Sequence, residues 1–240
     1  MEQQQTAETV IPNTCQTCQV RNNGICAVLT TQELVRLAGQ TRHTRHEAGE
    51  ALTMESDEVT SYANVIDGVI KLSRVLRDGR QQLVGLQFAT DLMGRLYAEA
   101  SPLTAEAASD VELCRMPKMV FESLVGSNAD LKQRLLQQSL LDLDEAREWM
   151  VTLGRKTAAE RVASLLLLVA IRSVGREAAA EGSVTFDLPL VRADMADFLG
   201  LTIETVSRQI SKLRNDGIIQ ITSHRHVVVP DIERLRRRAG

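Results

Sequence analysis

Apolar positions change their period along the 240-residue chain, and each change marks a different kind of element. Thr30-Thr31-Gln-Glu reads as a helix start, with Leu34, Val35 and Leu37 on the inner side of the helix. From about Arg42 to Met116 the apolar residues fall in short runs punctuated by glycine: EAGEAL, YANVIDGVIKLSRVL, RDGRQQLVGL, ATDLMGRL and VELCRMP. Gly49, Gly68, Gly79 and Gly94 mark turns, and Asp78-Gly79 is a hairpin signal between the strand ending at Leu76 and the one starting near Gln82. Short strands at this spacing predict a compact antiparallel barrel or roll.

After Pro117 the period becomes helical. Lys118 to Val125 predicts a short helix, broken at Gly126-Ser127-Asn128, and a long helix follows from about Ala129 to Leu153. Within it Leu136, Leu140, Leu143, Arg147 and Met150 alternate steps of four and three, a heptad seam that in mid-chain would pair with a symmetry mate. Asp142, Asp144, Glu145 and Glu148 crowd the same turns. They either face the partner and make pairing switchable through like-charge repulsion, or form a solvated outer face. Gly154 to Thr157 reads as a hinge, and Thr157-Ala-Ala-Glu160 as a capping box opening a helix to about Val174. A polar loop (175–183) and the strand VTFDLPL follow.

Met195 to Arg214, MADFLGLTIETVSRQISKLR, predicts two short amphipathic helices, about Arg192 to Leu199 and Ile203 to Arg214, joined at Gly200-Leu201-Thr202. Glycine can take the positive φ of a tight turn, and Thr202 is a good N-cap. Ala196, Leu199, Leu201, Val206, Ile210 and Leu213 supply a shared core, which leaves Glu204, Thr205, Ser207, Arg208 and Lys212 on the open face. An arginine can pair bidentately with guanine and a carboxylate can accept from cytosine, so this face suits major-groove reading. The alternative is an ordinary helical hairpin with a solvated outer face. Beyond Asp216-Gly217, IIQITSHRHVVVP predicts a hairpin turning at Ser223-His224-Arg225, which makes the unit winged. His224, Arg225 and His226 would be within reach of phosphate in such a wing, the alternative for a histidine at a hairpin tip being simple solvent exposure, and the basic tail RLRRR is expected to be helical or frayed.

Charge sharpens this picture. The net charge is −3, yet from Arg192 onward nine Lys or Arg stand against six Asp or Glu, while the remainder carries nineteen against twenty-five. The local excess fits a specific DNA binder better than a non-specific coat. No apolar run has the length of a membrane span or the flanks of a signal peptide, and LLLLVAI (165–171) is too short, so a cytoplasmic location is expected. In that compartment the four cysteines are not expected to form disulfides. The first fourteen residues are polar and Gln-rich, expected to be mobile, and lead into Cys15-Gln-Thr-Cys18, with Cys26 seven residues further on and Asn22-Asn23-Gly24 supplying a bend. Three thiols so close can converge on one ion or cluster, and Cys114 is the remaining cysteine able to complete a set of four. Zinc and iron-sulfur clusters both accept four thiolates, and unligated buried cysteines are the plainer alternative.

Together the glycine-punctuated roll, the long helix and the winged helix-turn-helix resemble the family of the cyclic-AMP receptor protein and the fumarate and nitrate reduction regulator (FNR), from about Cys15 to Val229. Within it the cysteines and the recognition helix look like FNR. Their C-x2-C-x7-C spacing is similar to the FnrL/FnrN branch and departs from the shorter C-x2-C-x5-C of the enteric type. The resemblance implies an oxygen-labile [4Fe-4S] cluster on Cys15, Cys18, Cys26 and Cys114. It further implies that Glu204, Ser207 and Arg208, matching the family's E-x-x-S-R, read TTGAT half-sites in a TTGAT-N4-ATCAA-like palindrome. The family's cyclic-nucleotide pocket needs a Gly-Glu and an Arg-Ser. Here Gly94 precedes Arg95 and the second position falls on Ser101-Pro102, so no cyclic nucleotide is expected.

The expected protein is an α+β homodimeric transcription activator without enzymatic activity. Its expected parts are a mobile N-terminus and cysteine loop (1–30), a β-roll (31–127), a dimerisation helix (128–156) and a DNA-binding domain (157–240). Oxygen would disassemble the cluster and return the protein to monomers. RNA polymerase is an expected partner, through the Arg77 to Gln81 hairpin. A constitutive regulator with a four-cysteine zinc site is the alternative. A thiol-redox enzyme fits less well, since C-x-x-C here lacks a βαβ setting.

Overall fold

The computed structural model describes residues 10–175, 179, 182–223 and 225–240. The first nine residues, part of the 175–183 loop and His224 lie outside the described residues. The chain forms two compact units, one from the segments ending at Ile70 and running Ala89–Leu140, the other from Lys71–Phe88 and Leu141–Gly240. Residues 31–127 are thus shared between the two. The architecture is α+β, with an antiparallel roll, a long helix and a C-terminal winged helix-turn-helix.

In the first unit the strands are β1 (Arg42–His46), β2 (Ala51–Thr53), β3 (Ser61–Asp67), β6 (Leu92–Met93), β7 (Thr104–Ala107) and β8 (Val111–Pro117). One sheet has the order β1-β8-β3-β6, and β2 pairs antiparallel with β7. β3 is buried on both faces, which explains why YANV is a continuous run rather than an alternation. Val65 and Leu113, register partners, face the interior of the roll; Tyr62 and Met116, also partners, face the other way. That second face is covered by a core of Ile25, Leu29, Leu34, Leu37, Phe121, Leu124 and Leu131. The covering elements are a 3-10 helix (Ile25–Val28), α2 (Thr31–Ala38), α3 (Lys118–Ser127) and the start of α4 (Ala129–Arg155), preceded by the short helix α1 (Asn13–Gln16).

Several boundaries differ from the sequence reading. The helix after Pro117 runs through Gly126 to Ser127, and the break falls on Asn128, which is extended and accepts from the Leu131 N–H at 2.7 Å. Asn128 is therefore the cap that starts α4, and a capping side chain, rather than the glycine, sets the break. Gly154 likewise lies inside α4; the bend sits at Lys156-Thr157, where Thr157 and Glu160 form the expected capping box. Gly49 and Gly94 take positive φ and shorten EAGEAL and ATDLMGRL to β2 and β6. At Gly94 a Cβ would stand 2.9 Å from the Tyr62 ring, so glycine is required there. β1, RHTRH, carries no apolar alternation, and the alternation of β7, TAEA, rests on two small alanines, so neither is marked by a run of large apolar residues.

The second unit begins with the hairpin of β4 (Ile70–Val75) and β5 (Gln81–Gln87), turning at Gly79 with φ +85°. α5 (Ala158–Val174) buries Val162, Leu165, Leu166 and Val169. β9 (Val184–Asp187), β10 (Gln220–Ile221) and β11 (His226–Val229) form a sheet of order β10-β11-β9. The helix-turn-helix is α6 (Arg192–Leu199) and α7 (Ile203–Asn215), and the basic tail forms α8 (Ile232–Ala239). Among the described residues no helix is long and apolar enough to cross a membrane.

Candidate nucleic-acid interface and sulfur site

α7 is fixed by its inner face and its caps. Val206, Ile210 and Leu213 are buried, and Gly200 ends α6 in the left-handed region at φ +60°, ψ +44°. Thr202 accepts from the Thr205 N–H at 3.2 Å, which starts the helix as its sequence predicts. Glu204, Ser207, Arg208 and Lys212 are exposed. The Glu204 carboxyl is held below its usual range by its own backbone N–H and by Thr202, so it is an ionised acceptor. Thr205 differs from expectation: it is only partly exposed, and its hydroxyl is engaged by Thr202 at 3.1 Å and by Arg208 at 3.4 Å. It supports the helix start and aims Arg208, and is less free to read a base.

Beside this face lies a groove of about 360 Å³ between α7 and the wing, lined by Arg192, Ser207, Ser211, Arg214, Thr222 and Ser223 among others. Two guanidinium groups and four hydroxyls suit the phosphate backbone, which positions a protein on DNA without reading its sequence. Arg192, Ser211, Arg214, Thr222 and Ser223 were not singled out as a phosphate site from the sequence, because they come from α6, α7 and the wing and only folding gathers them. In the wing, His226 pairs with Asp187 at 2.8 Å, so it serves the β9–β11 pairing rather than standing free for phosphate; Arg225 is exposed.

α6 is clamped from behind. Lys71 on β4 meets Asp194 at 2.9 Å with the two side chains only 12% and 13% exposed, and Gln82 on β5 donates to the Phe198 carbonyl at 3.3 Å. Trp149 of α4 stands edge-on to Phe198 at 4.6 Å, and Arg161 donates to the Leu199 carbonyl at 3.1 Å. Burial, then the nearby Asp194, raises the Asp197 carboxyl, and Lys71 partly offsets both.

The four cysteines are free thiols, each partly buried. C-x2-C does not lie on a simple loop: Cys15 is within α1, and Cys26 is in the 3-10 helix packed against the second core. Cys114 is on β8, on the face this segment covers. Among the described residues no three His, Cys, Asp or Glu stand close enough to hold a metal ion. The thiols are nevertheless electrostatic neighbours. Burial first, then Cys114, Cys18 and Cys15, push the Cys26 thiol up to about 12; burial, with Cys15 and Cys18, pushes Cys114 up to about 11. Cys15 is raised by burial and by Cys18, with Arg21 acting in the opposite sense. Gathering four thiolates into one shell requires a cation to offset their repulsion. Four soft sulfur donors, partly desolvated, fit an iron-sulfur cluster or zinc.

The cysteine segment is tied to the base of α4. Arg134 donates to the Asn23 carbonyl at 2.5 Å, and Leu131 and Leu135 pack in the core that holds Ile25 and Cys26. Further along α4, Leu136, Leu140, Leu143 and Met150 are exposed, and Arg147 pairs with Asp144 on its own helix at 3.2 Å.

Residues 43–128 match the cyclic nucleotide-binding domain family, and residues 160–238 the Crp-like helix-turn-helix domain family. The chain is 46% identical over 230 residues to a "Probable transcriptional activator" of Rhizobium leguminosarum bv. viciae, covering 96% of this chain and 95% of that one. It is 40% identical to the transcriptional activator protein FnrL of Cereibacter sphaeroides over 94% of this chain and 92% of the relative. The structure of FixK2 from Bradyrhizobium japonicum superposes with a TM-score of 0.73 at 29% identity, covering 83% of this chain and 98% of that one. The chain therefore belongs to the Crp/FNR family of transcription regulators and is a DNA-binding transcriptional activator, not an enzyme.

Proposed function

We propose that this activator is oxygen-responsive, with Cys15, Cys18, Cys26 and Cys114 holding a [4Fe-4S] cluster. The observation that carries the proposal is that Cys26 packs in the core covering the face of β8 that bears Cys114, with Cys15 and Cys18 near enough to act on Cys26 and Cys114 electrostatically. A bound cluster supplies an oxygen-labile centre on four thiolates. The chain's own part is transmission: Arg134, Leu131 and Leu135 couple the cysteine segment to α4. Leu136, Leu140, Leu143 and Met150, exposed in one chain, then pair across a two-fold axis. Two copies of α7 present Glu204, Ser207 and Arg208 to successive major grooves of a TTGAT-N4-ATCAA-like palindrome, while the Arg192 and Arg214 groove takes phosphate. To move the population fully, the dimer must hold the cluster more tightly than the monomer by about 5 kcal/mol.

The test is an absorption spectrum of protein purified without oxygen, followed as air is admitted, with size-exclusion chromatography alongside. Broad visible absorption that bleaches while dimer becomes monomer supports the proposal. A colourless protein that keeps its metal in air replaces it with a structural zinc site. If Leu143→Glu leaves the reconstituted dimer intact, the seam is wrongly placed. The exposed hairpin tip, where Asp78 and Arg80 pair at 2.8 Å, is the surface we assign to RNA polymerase; normal transcription with both replaced would remove that assignment.

A further inference from the structure

The second core, under the cysteine segment, contains a polar residue that the fold alone does not require. Asn64 on β3 is 3% exposed, one of few polar side chains so deeply buried. It is the register partner of Cys114 on β8, so the two side chains leave the sheet on the same face, about 5 Å apart at Cβ. Leu92 flanks it on β6, and Tyr62 and Met116 continue the same face, all of them apolar in contact with the core. Leucine would satisfy such a position. The carbonyl end of the Asn64 amide, moreover, has no hydrogen-bond partner, a cost that a purely structural asparagine would not carry.

Above it passes the cysteine segment. Gly24, two residues before Cys26, lies so close that a Cβ there would stand 3.2 Å from the Asn64 amide nitrogen and 3.1 Å from the Val20 carbonyl. The φ of Gly24 is −88°, so it is this close approach, rather than an unusual backbone conformation, that makes a larger residue a tight fit there. Asn64 is therefore enclosed by Cys114 beside it and the Gly24–Cys26 turn above it. A carboxamide carries two N–H donors, and rotation about its last torsion exchanges the donor and acceptor ends. A thiolate or sulfide only accepts. The amide with its unpartnered polar end thus leaves the sheet on the face that also carries Cys114.

We infer that Asn64 is a positioning residue of the sulfur site, its side-chain N–H donating to sulfur of Cys114 or Cys26, or of the group they hold, and fixing the turn that presents Cys26. The inference rests on the four-cysteine reading above. Hydrogen bonds to sulfur stabilise its negative charge, and with it the more reduced state of a cluster. Removing the donor therefore lowers the potential and eases oxidation.

The experiment compares full-length wild type, Asn64→Asp and Asn64→Leu, each reconstituted with iron and sulfide without oxygen. It records the visible spectrum, the bleaching half-life in air and the reduction potential, with thermal melting of the metal-free proteins as a folding check. Asp keeps the shape and loses the donor; Leu keeps the burial and loses polarity. Both variants should bleach about 10-fold faster than wild type, at lowered potential, with melting of at least one unchanged. Wild-type bleaching and potential in both variants would overturn the inference and leave the cluster reading standing. Loss confined to Asn64→Leu would make Asn64 a packing residue and also overturn it. A wild type without visible absorption would remove the cluster reading and this inference together.

Discussion

The DNA-reading face and the sulfur site show two opposite ways of building function into one chain. α7 is specified almost wholly within its own residues: Thr202 caps it, Val206, Ile210 and Leu213 seat it, and the residues left over face outward. Its chemistry is complete once the helix forms. The sulfur site takes residues from α1, a 3-10 helix and β8, separated by up to about ninety-nine positions, and it depends on a second core to gather them. One site is local and exposed, the other non-local and partly buried. Damage should therefore read out differently: substitutions on α7 alter affinity at particular bases, whereas those at the sulfur site alter the whole switch.

The largest effect is expected from Cys114→Ser. It removes the one proposed ligand outside the N-terminal segment, and should abolish both the visible absorption of anaerobically reconstituted protein and its oxygen-dependent DNA binding. Retention of the chromophore would show that three cysteines suffice, which would dissolve the contrast at its centre. Next comes Lys71→Met. It leaves Asp194 partly buried beside Asp197 without its cation, at a cost of about 3 kcal/mol, read as a lowered midpoint in denaturant unfolding. A change within error would mean that Gln82 and Trp149 hold α6 alone.

Arg208→Ala should weaken operator binding by about 1 to 3 kcal/mol, concentrated at one base position. Uniform weakening across sequences in a binding titration would instead place Arg208 on phosphate. For the groove the expectation is the reverse: Arg214→Ala should lower affinity for all sequences alike and flatten the salt dependence of binding. Smallest is Thr157→Ala, which removes the cap of α5 and should cost about 1 kcal/mol in thermal unfolding while leaving base preference untouched.

Legibility in the sequence followed the range of the interactions. The capping boxes at Thr30 and Thr157, the turn at Gly200 and the cap at Thr202 act over a few residues, and each was readable from its own letters. β1 and β7 were not, because their place comes from pairing with β8 and β2, with no apolar alternation in β1 and only two alanines alternating in β7. Asn128 reads in the sequence only as part of a helix break, whereas its side chain both caps α4 and donates to Glu33. The same holds at the sites. Glu204, Ser207, Arg208 and Lys212 were visible on one helical face, but Thr205, on that face too, turned out to be engaged in the cap.

By itself the sequence determined the period of each segment, the caps and turns, the recognition face and the presence of four cysteines, since propensity, capping and side-chain chemistry need no partner distant in the chain. Only the tertiary structure decided that β3 would be buried on both faces and that a second core would bring Cys26 over Cys114 with Asn64 enclosed beside them. It alone assembled the phosphate groove from α6, α7 and the wing, and set Lys71 against Asp194 across more than a hundred residues. Those outcomes depend on strand register and on which faces remain to be buried, and both are settled by the competition of many distant residues for the same interior.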